Sequence, residues 1–231
     1  MNNLRTSYES IKREIENLPE NAITDGIIDI EAYCSIPENL PRILWLLKEP
    51  NSSEDKRWSY SDLLINDRQE WNGSVLNLVF KRVIYTSYGI LKHKNYNQIP
   101  PIHQKEVYDA VRQIAYINLK KTPGSSVAND KDIALAYHNN KKLILRQIDE
   151  YQPQILIFGN TMKYLFEDLG IKEADKTYVD NKTHNTTYYI KDNKLYIHAW
   201  HPAARISSQI YCDEIISIAN KWWEEQRNMV L

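Results

Sequence analysis

Apolar and polar positions along the chain follow two different periods. Leu4, Tyr8, Ile11, Ile15 and Leu18 recur at helical spacing with acids and bases between them, which predicts a leading amphipathic helix. After Pro41 the pattern becomes one continuous apolar run, Arg42-Ile-Leu-Trp-Leu-Leu-Lys48, of strand length and without a polar face. Such a run reads as a central strand buried on both sides. Residues 113–118, 154–158 and 195–200 have the same character. Helical stretches are expected at about 75–91, 104–112, 131–150 and 161–169, the last closed by Gly170, and a final helix over about 206–227. Asp192-Asn193 joins two short strand-like segments as a tight hairpin, so one pairing is antiparallel. Strands that alternate with helices predict an α/β fold: a three-layer α/β/α sandwich around a central, mainly parallel four-stranded sheet. No linker-like stretch or long repeat divides residues 1–231, which read as one domain with residues 1–40 as an N-terminal helical extension.

Composition narrows the classes. The 231 residues are 42% hydrophobic and 26% charged, enough for one substantial core, which excludes disorder as the main reading. A formal net charge of −1 excludes a global pull on polyanions, so any nucleic-acid surface must be local. The best local candidate is Lys81 to Lys121, where eight Lys or Arg face only Glu106 and Asp109. Cys34 and Cys212 are too few for a disulfide framework, which suits a reducing compartment and a cytoplasmic location. The first twenty residues lack a signal-type apolar core, and the longest strongly apolar stretch, 43–47, is too short to span a bilayer, so no membrane role is expected. Six glycines form no Gly-rich phosphate loop.

In open α/β sheets, ligands bind beyond the carboxyl ends of the strands. That rule selects the loops beginning at Lys48-Glu49-Pro50-Asn51, Asn118-Leu-Lys-Lys-Thr-Pro-Gly124, Gly159-Asn160-Thr161 and Trp200-His201-Pro202-Ala203-Ala204-Arg205. Glu49 and His201 each precede a proline, whose ring holds the residue before it in extended geometry. A carboxylate there can orient water, and an imidazole can donate to an oxygen on which negative charge develops. Either residue alone is ordinarily a turn residue. Asn118 carries both a donor and an acceptor, which suits reading a base edge and equally suits capping a turn. His198 and His201 stand three apart on a strand and so face opposite sides, and no metal site is expected. A Gly-x-Ser-x-Gly elbow is missing.

The ordered succession LLKEPN, YINLKKTPG, ILIFGNTMKYLF and HPAAR, each ending a candidate strand, resembles the uracil-DNA glycosylase superfamily over roughly residues 40–225. The resemblance implies base excision: a base is flipped out of DNA and its N-glycosidic bond is hydrolysed. It places catalytic roles on Glu49, for water and the sugar cation, and on His201, for the departing base. It places base recognition on Asn118, with Tyr60 or Trp58 as the stacking aromatic. DNA contacts fall on Lys48, Asn51, Lys120, Lys121, Arg205 and Ile206, and on helix-start N–H groups near Thr161 and Ala203. Glu54-Asp55 resembles a pair found downstream in the iron–sulfur branch. The cluster cysteines of that branch are missing, and no cofactor is expected. Leu47 and Lys48 stand where the family usually has glycine, and His-Pro-Ala replaces His-Pro-Ser. The expected partner is therefore DNA, single- or double-stranded. The alternative is an inactive protein of the same fold that holds DNA, RNA or a nucleotide without cutting.

Overall fold

The computed structural model describes residues 2–18, 21–51, 56–66, 77–124, 128–173, 176–178 and 186–228. Its strands are β1 (Gly26–Ile27), β2 (Ile43–Leu47), β3 (Ile114–Asn118), β4 (Ile155–Gly159), β5 (Lys176–Tyr178), β6 (Thr187–Lys191) and β7 (Lys194–Ala199). They form one sheet in the order β1-β3-β2-β4-β7-β6-β5. The four runs read as buried strands are the parallel centre, β3-β2-β4-β7. The expected four-stranded sheet is thus extended to seven by antiparallel β1 at one edge and β6 and β5 at the other. Two- and three-residue edge strands carry too little pattern to be read in advance. The β6–β7 hairpin turns on Asp192 and Asn193, both left-handed (φ 50° and 56°), as a two-residue turn requires.

Strand side chains alternate between two cores, which makes the three layers. Ile43, Trp45, Leu47, Ile114, Tyr116, Ile155, Ile157 and Ile197 face helices α3 (Leu78–Lys92) and α7 (Ser208–Asn228). Leu44, Leu46, Ala115, Ile117, Leu156 and Phe158 face α1 (Asn2–Glu16), α2 (Ile30–Cys34) and α5 (Asp130–Tyr151). Two further one-turn helices are α4 (Lys105–Tyr108) and α6 (Met162–Leu165). Helix α3 begins at Leu78 behind an Asn77 cap, whose side chain accepts from Phe80 N–H; the expected start near Val75 lies outside the described residues.

Residues 1–40 are not an appendage. Strand β1 pairs with β3, and α1 belongs to the layer that holds α5. Gly26 sits at φ +136°, with the Tyr151 hydroxyl 2.5 Å from where a Cβ would fall, so the chain passes too close to α5 for any other residue. Beside it Asp25 accepts from the Lys121 ammonium at 2.7 and 2.9 Å and from Gln147 Nε2 at 3.1 Å. Lys121 and Asp25 are 2% and 1% exposed at their side chains. Burial pulls the Lys121 ammonium below its usual pKa, while Asp25 opposes that shift. This buried pair ties the segment before β1 to the loop after β3 and to α5. Replacing Lys121→Met removes the cation and leaves the buried Asp25 carboxyl only neutral donors, Gln147 Nε2 and Asn118 N–H, and should cost roughly 3–5 kcal/mol of unfolding free energy. Denaturant melts should show that loss, with part of it restored in the Lys121→Met, Asp25→Asn double variant.

Candidate active site

The register of the parallel strands assembles the site. Asn118 pairs with Leu47, and Gly159 pairs with Ala199. Leu46 pairs with Phe158, so Asn118, Leu47, Gly159 and Ala199 form one row across the carboxyl edge of the sheet. Glu49 and His201 each lie two residues beyond that row, on strands separated only by β4. Their strands are therefore about 10 Å apart at that level, two strand spacings. Strand β4 leaves the gap at once, because Asn160 turns into the left-handed region at φ 60°. Gly159 allows close packing between the two loops: a methyl group there would strike Leu47 Cδ2 and lie 3.1 Å from Pro202 Cδ and 3.8 Å from His201 Cα.

On one side of the gap, the β2–β3 pairing continues past the strand ends. Leu47 and Lys48 carbonyls accept from Leu119 and Lys120 N–H, and the Pro50 carbonyl accepts from Gly124 N–H. The Glu49 carboxylate, 7% exposed, accepts from Lys120 Nζ at 2.8 Å. It lies directly against Gly124, where a methyl group would fall on the carboxyl atoms.

On the other side, Ala203 N–H donates to His201 Nδ1 at 3.1 Å. A nitrogen that accepts carries no proton, so the neutral ring bears its hydrogen on Nε2 and presents it as a donor. Burial, with the nearby Lys48 charge, lowers the imidazole pKa to about 4. The ring is thus neutral at physiological pH, in the tautomer that can donate to a developing oxyanion.

The residue that sets this loop is Arg82 of α3, a member of the basic stretch from Lys81 to Lys121. It is 2% exposed. Its guanidinium donates to the carbonyls of Pro202 (2.8 Å), Ala204 (2.9 Å) and Ile206 and to the Ser208 hydroxyl (3.1 Å). It also lies over the Tyr211 ring, 5.0 Å from its centroid. Tyr211 in turn donates its hydroxyl to the Trp200 carbonyl at 3.1 Å. The loop from Trp200 to Ser208 is held from beneath by these two side chains. The sequence carried one signal: Arg82 stands, beside Lys81, in the otherwise uncharged run from Val79 to Leu91.

Asn118 is fully buried. Its Nδ2 donates to the Tyr60 hydroxyl at 3.1 Å, while its amide oxygen has no partner among the described residues. The Tyr60 ring lies 4.8 Å from Trp58, 4.7 Å from Tyr116 and 5.9 Å from Phe80. Tyr60, 3% exposed, is therefore a core residue rather than a free stacking face, and Trp58 is the partly exposed ring of that pair. A ligand reaches the Asn118 oxygen only when a side chain of this cluster moves.

Several expected DNA contacts are corrected by burial or pairing. Lys121 is an interior ion-pair partner, not a surface cation. Thr161 is buried, and its hydroxyl donates to the Leu46 carbonyl at 2.8 Å. Ala203 spends its N–H on His201. Lys120 is engaged by the nearly buried Glu49, whereas Lys48, paired with the exposed Asp130, is not overturned as a contact. Ile206 packs partly against the core, whereas Asn51 and Arg205 are exposed on the rim. Glu54 and Asp55 lie outside the described residues. The wider basic region is also largely consumed: Lys105 pairs with Asp109, Arg112 with Asp29, and Lys94 sits over the Tyr88 ring.

Two outcomes follow from this geometry. The Arg82→Met variant should remain folded at reduced stability but lose the single-tautomer signature of His201 in nitrogen NMR, whereas a variant distant from the loop keeps it. The free ring of an unfolded chain titrates near about 6.5, above its folded value, so the unfolded state holds more protons between the two values. Stability contributed by neutral His201 is complete above about pH 6.5 and is lost as pH falls toward about 4, on the order of 1–2 kcal/mol by pH 5. His201→Asn should flatten that limb of the stability profile measured by chemical denaturation.

The chain matches no protein-family model and no curated protein.

Proposed function

We propose that this protein is a DNA N-glycosylase that flips a uracil, or another damaged or modified base, out of DNA and hydrolyses its N-glycosidic bond in the cytoplasm. The observation that carries the reading is His201, a neutral imidazole with its donor proton on Nε2, on the same sheet edge as the carboxylate of Glu49. As the bond from the sugar to the base stretches, electrons move onto the base and its carbonyl oxygen becomes negative. A neutral donor strengthens its hydrogen bond at that moment without having been solvated as a cation beforehand. The sugar becomes cation-like at the same time. Glu49 stabilises that charge and aligns a water whose oxygen bonds to the anomeric carbon, and the water's proton passes to solvent or to the departing base. Lys120 holds the carboxylate at one oxygen and leaves the other for water.

A second reading has its own support. Glu49 is paired with a lysine, and Asn118 is sealed beneath aromatic rings, which suits a protein of this fold that binds DNA, RNA or a nucleotide without cutting it. Salt-dependent DNA binding would be common to both, so free base is the discriminating product.

A panel of oligonucleotides and modified genomic DNAs, analysed by mass spectrometry, should show one base released by the wild-type chain. His201→Ala should slow that release about 10²–10³-fold, the effect of removing an oxyanion donor. Glu49→Gln should slow it by at least about 10²-fold. Both should act on kcat with little change in unfolding free energy. Near-wild-type release by either purified variant would remove these assignments.

A further inference from the structure

Beside the candidate active site, three donors from two elements converge on one exposed carboxylate. Lys48 Nζ, on the loop leaving β2, donates to Asp130 Oδ1 at 2.9 Å. The Tyr164 hydroxyl donates to the same oxygen at 2.9 Å, and Lys163 Nζ pairs with Oδ2. Asp130 is the first residue of the 22-residue helix α5. Its side chain is 55% exposed, while that of Lys48 is only 14% exposed. The pairings hold the Asp130 carboxyl well below its usual pKa.

Two ammonium groups this close repel one another unless an anion sits between them. One carboxylate offsets only half of their charge, so the cluster keeps a net positive charge. A phosphate group, though tetrahedral where a carboxylate is planar, can turn two oxygens to the same donors and is favoured at the start of a long helix for the same reason. Lys48 adjoins Glu49 in sequence, and its charge is felt at His201. The cluster therefore lies within one nucleotide's reach of the gap between the two.

We propose that Lys48, Lys163 and Tyr164 form a phosphate-binding subsite, and that Asp130 fills it as an internal competitor which a phosphate of the ligand displaces. That the phosphate belongs to a nucleic-acid backbone rests on the functional reading above; the subsite itself does not.

The test compares the wild-type chain, Asp130→Asn and Lys163→Ala, each confirmed as folded by circular dichroism. The probes are inorganic phosphate and thymidine monophosphate, read by thermal shift, and a fluorescein-labelled single-stranded oligonucleotide, read by anisotropy across a salt series. Asp130→Asn should gain stabilisation by inorganic phosphate and bind the oligonucleotide about 5–10-fold more tightly at low salt. Lys163→Ala, at an exposed position, should weaken oligonucleotide binding and lower the salt slope by about one. An oligonucleotide gain much larger than that for the mononucleotide assigns the phosphate to a polymer backbone; equal gains assign it to a free nucleotide. Unchanged or weaker binding by folded Asp130→Asn overturns the proposal. If that variant does not fold, a salt slope unaltered by Lys163→Ala alone overturns it. Phosphate gain without any base release keeps this subsite and removes the glycosylase reading; base release without phosphate gain does the reverse.

Discussion

Parallel register is the constraint on which the rest of the molecule depends. Because β3, β2, β4 and β7 run in one direction and are aligned residue by residue, their carboxyl ends lie level, and four unrelated loops emerge side by side. Glu49 and His201 are far apart in sequence, yet the alignment of Leu47 with Gly159 and Ala199 sets them on neighbouring rims of one gap. Between them Gly159, having no side chain, lets Leu47 and Pro202 close over β4, and Asn160 turns the backbone away at a left-handed φ.

Two buried cations stiffen this edge by different means. Lys121 is matched by the carboxylate of Asp25, so the loop after β3 is joined by charge to the N-terminal segment and to α5. Among the described residues Arg82 has no such partner, and its charge is met instead by the carbonyl dipoles of the His201 loop and by the Tyr211 ring. Desolvating a guanidinium is costly, and the cost is offset only while those carbonyls converge on it. The loop conformation and the buried charge therefore require each other. This coupling gives the Ala203 N–H a fixed direction toward His201, and with it a defined ring tautomer.

Most of the central architecture was legible along the chain. Runs such as 43–47 and 155–159 are apolar at every position because both faces of the strand are covered. The edge strands were not legible: Gly26–Ile27 is two residues long, and its pairing with β3 is decided by where the chain crosses α5. Similarly, Lys81 to Lys121 read as a basic surface because sequence records charge but not direction. Folding turned Arg82 and Lys121 inward and matched Lys105, Arg112 and Lys120 to acids, two of them from distant segments.

By itself, then, the sequence determined the layer order, the parallel core and the four loops on which chemistry can occur, since apolar periodicity and proline placement act locally. Only the tertiary structure decided which polar side chains face solvent, which oxygen of Asn118 lacks a partner, and which nitrogen of His201 holds the proton. Those properties depend on groups brought together from distant parts of the chain. A hydrogen bond or a desolvation exists only once both of its sides are in place.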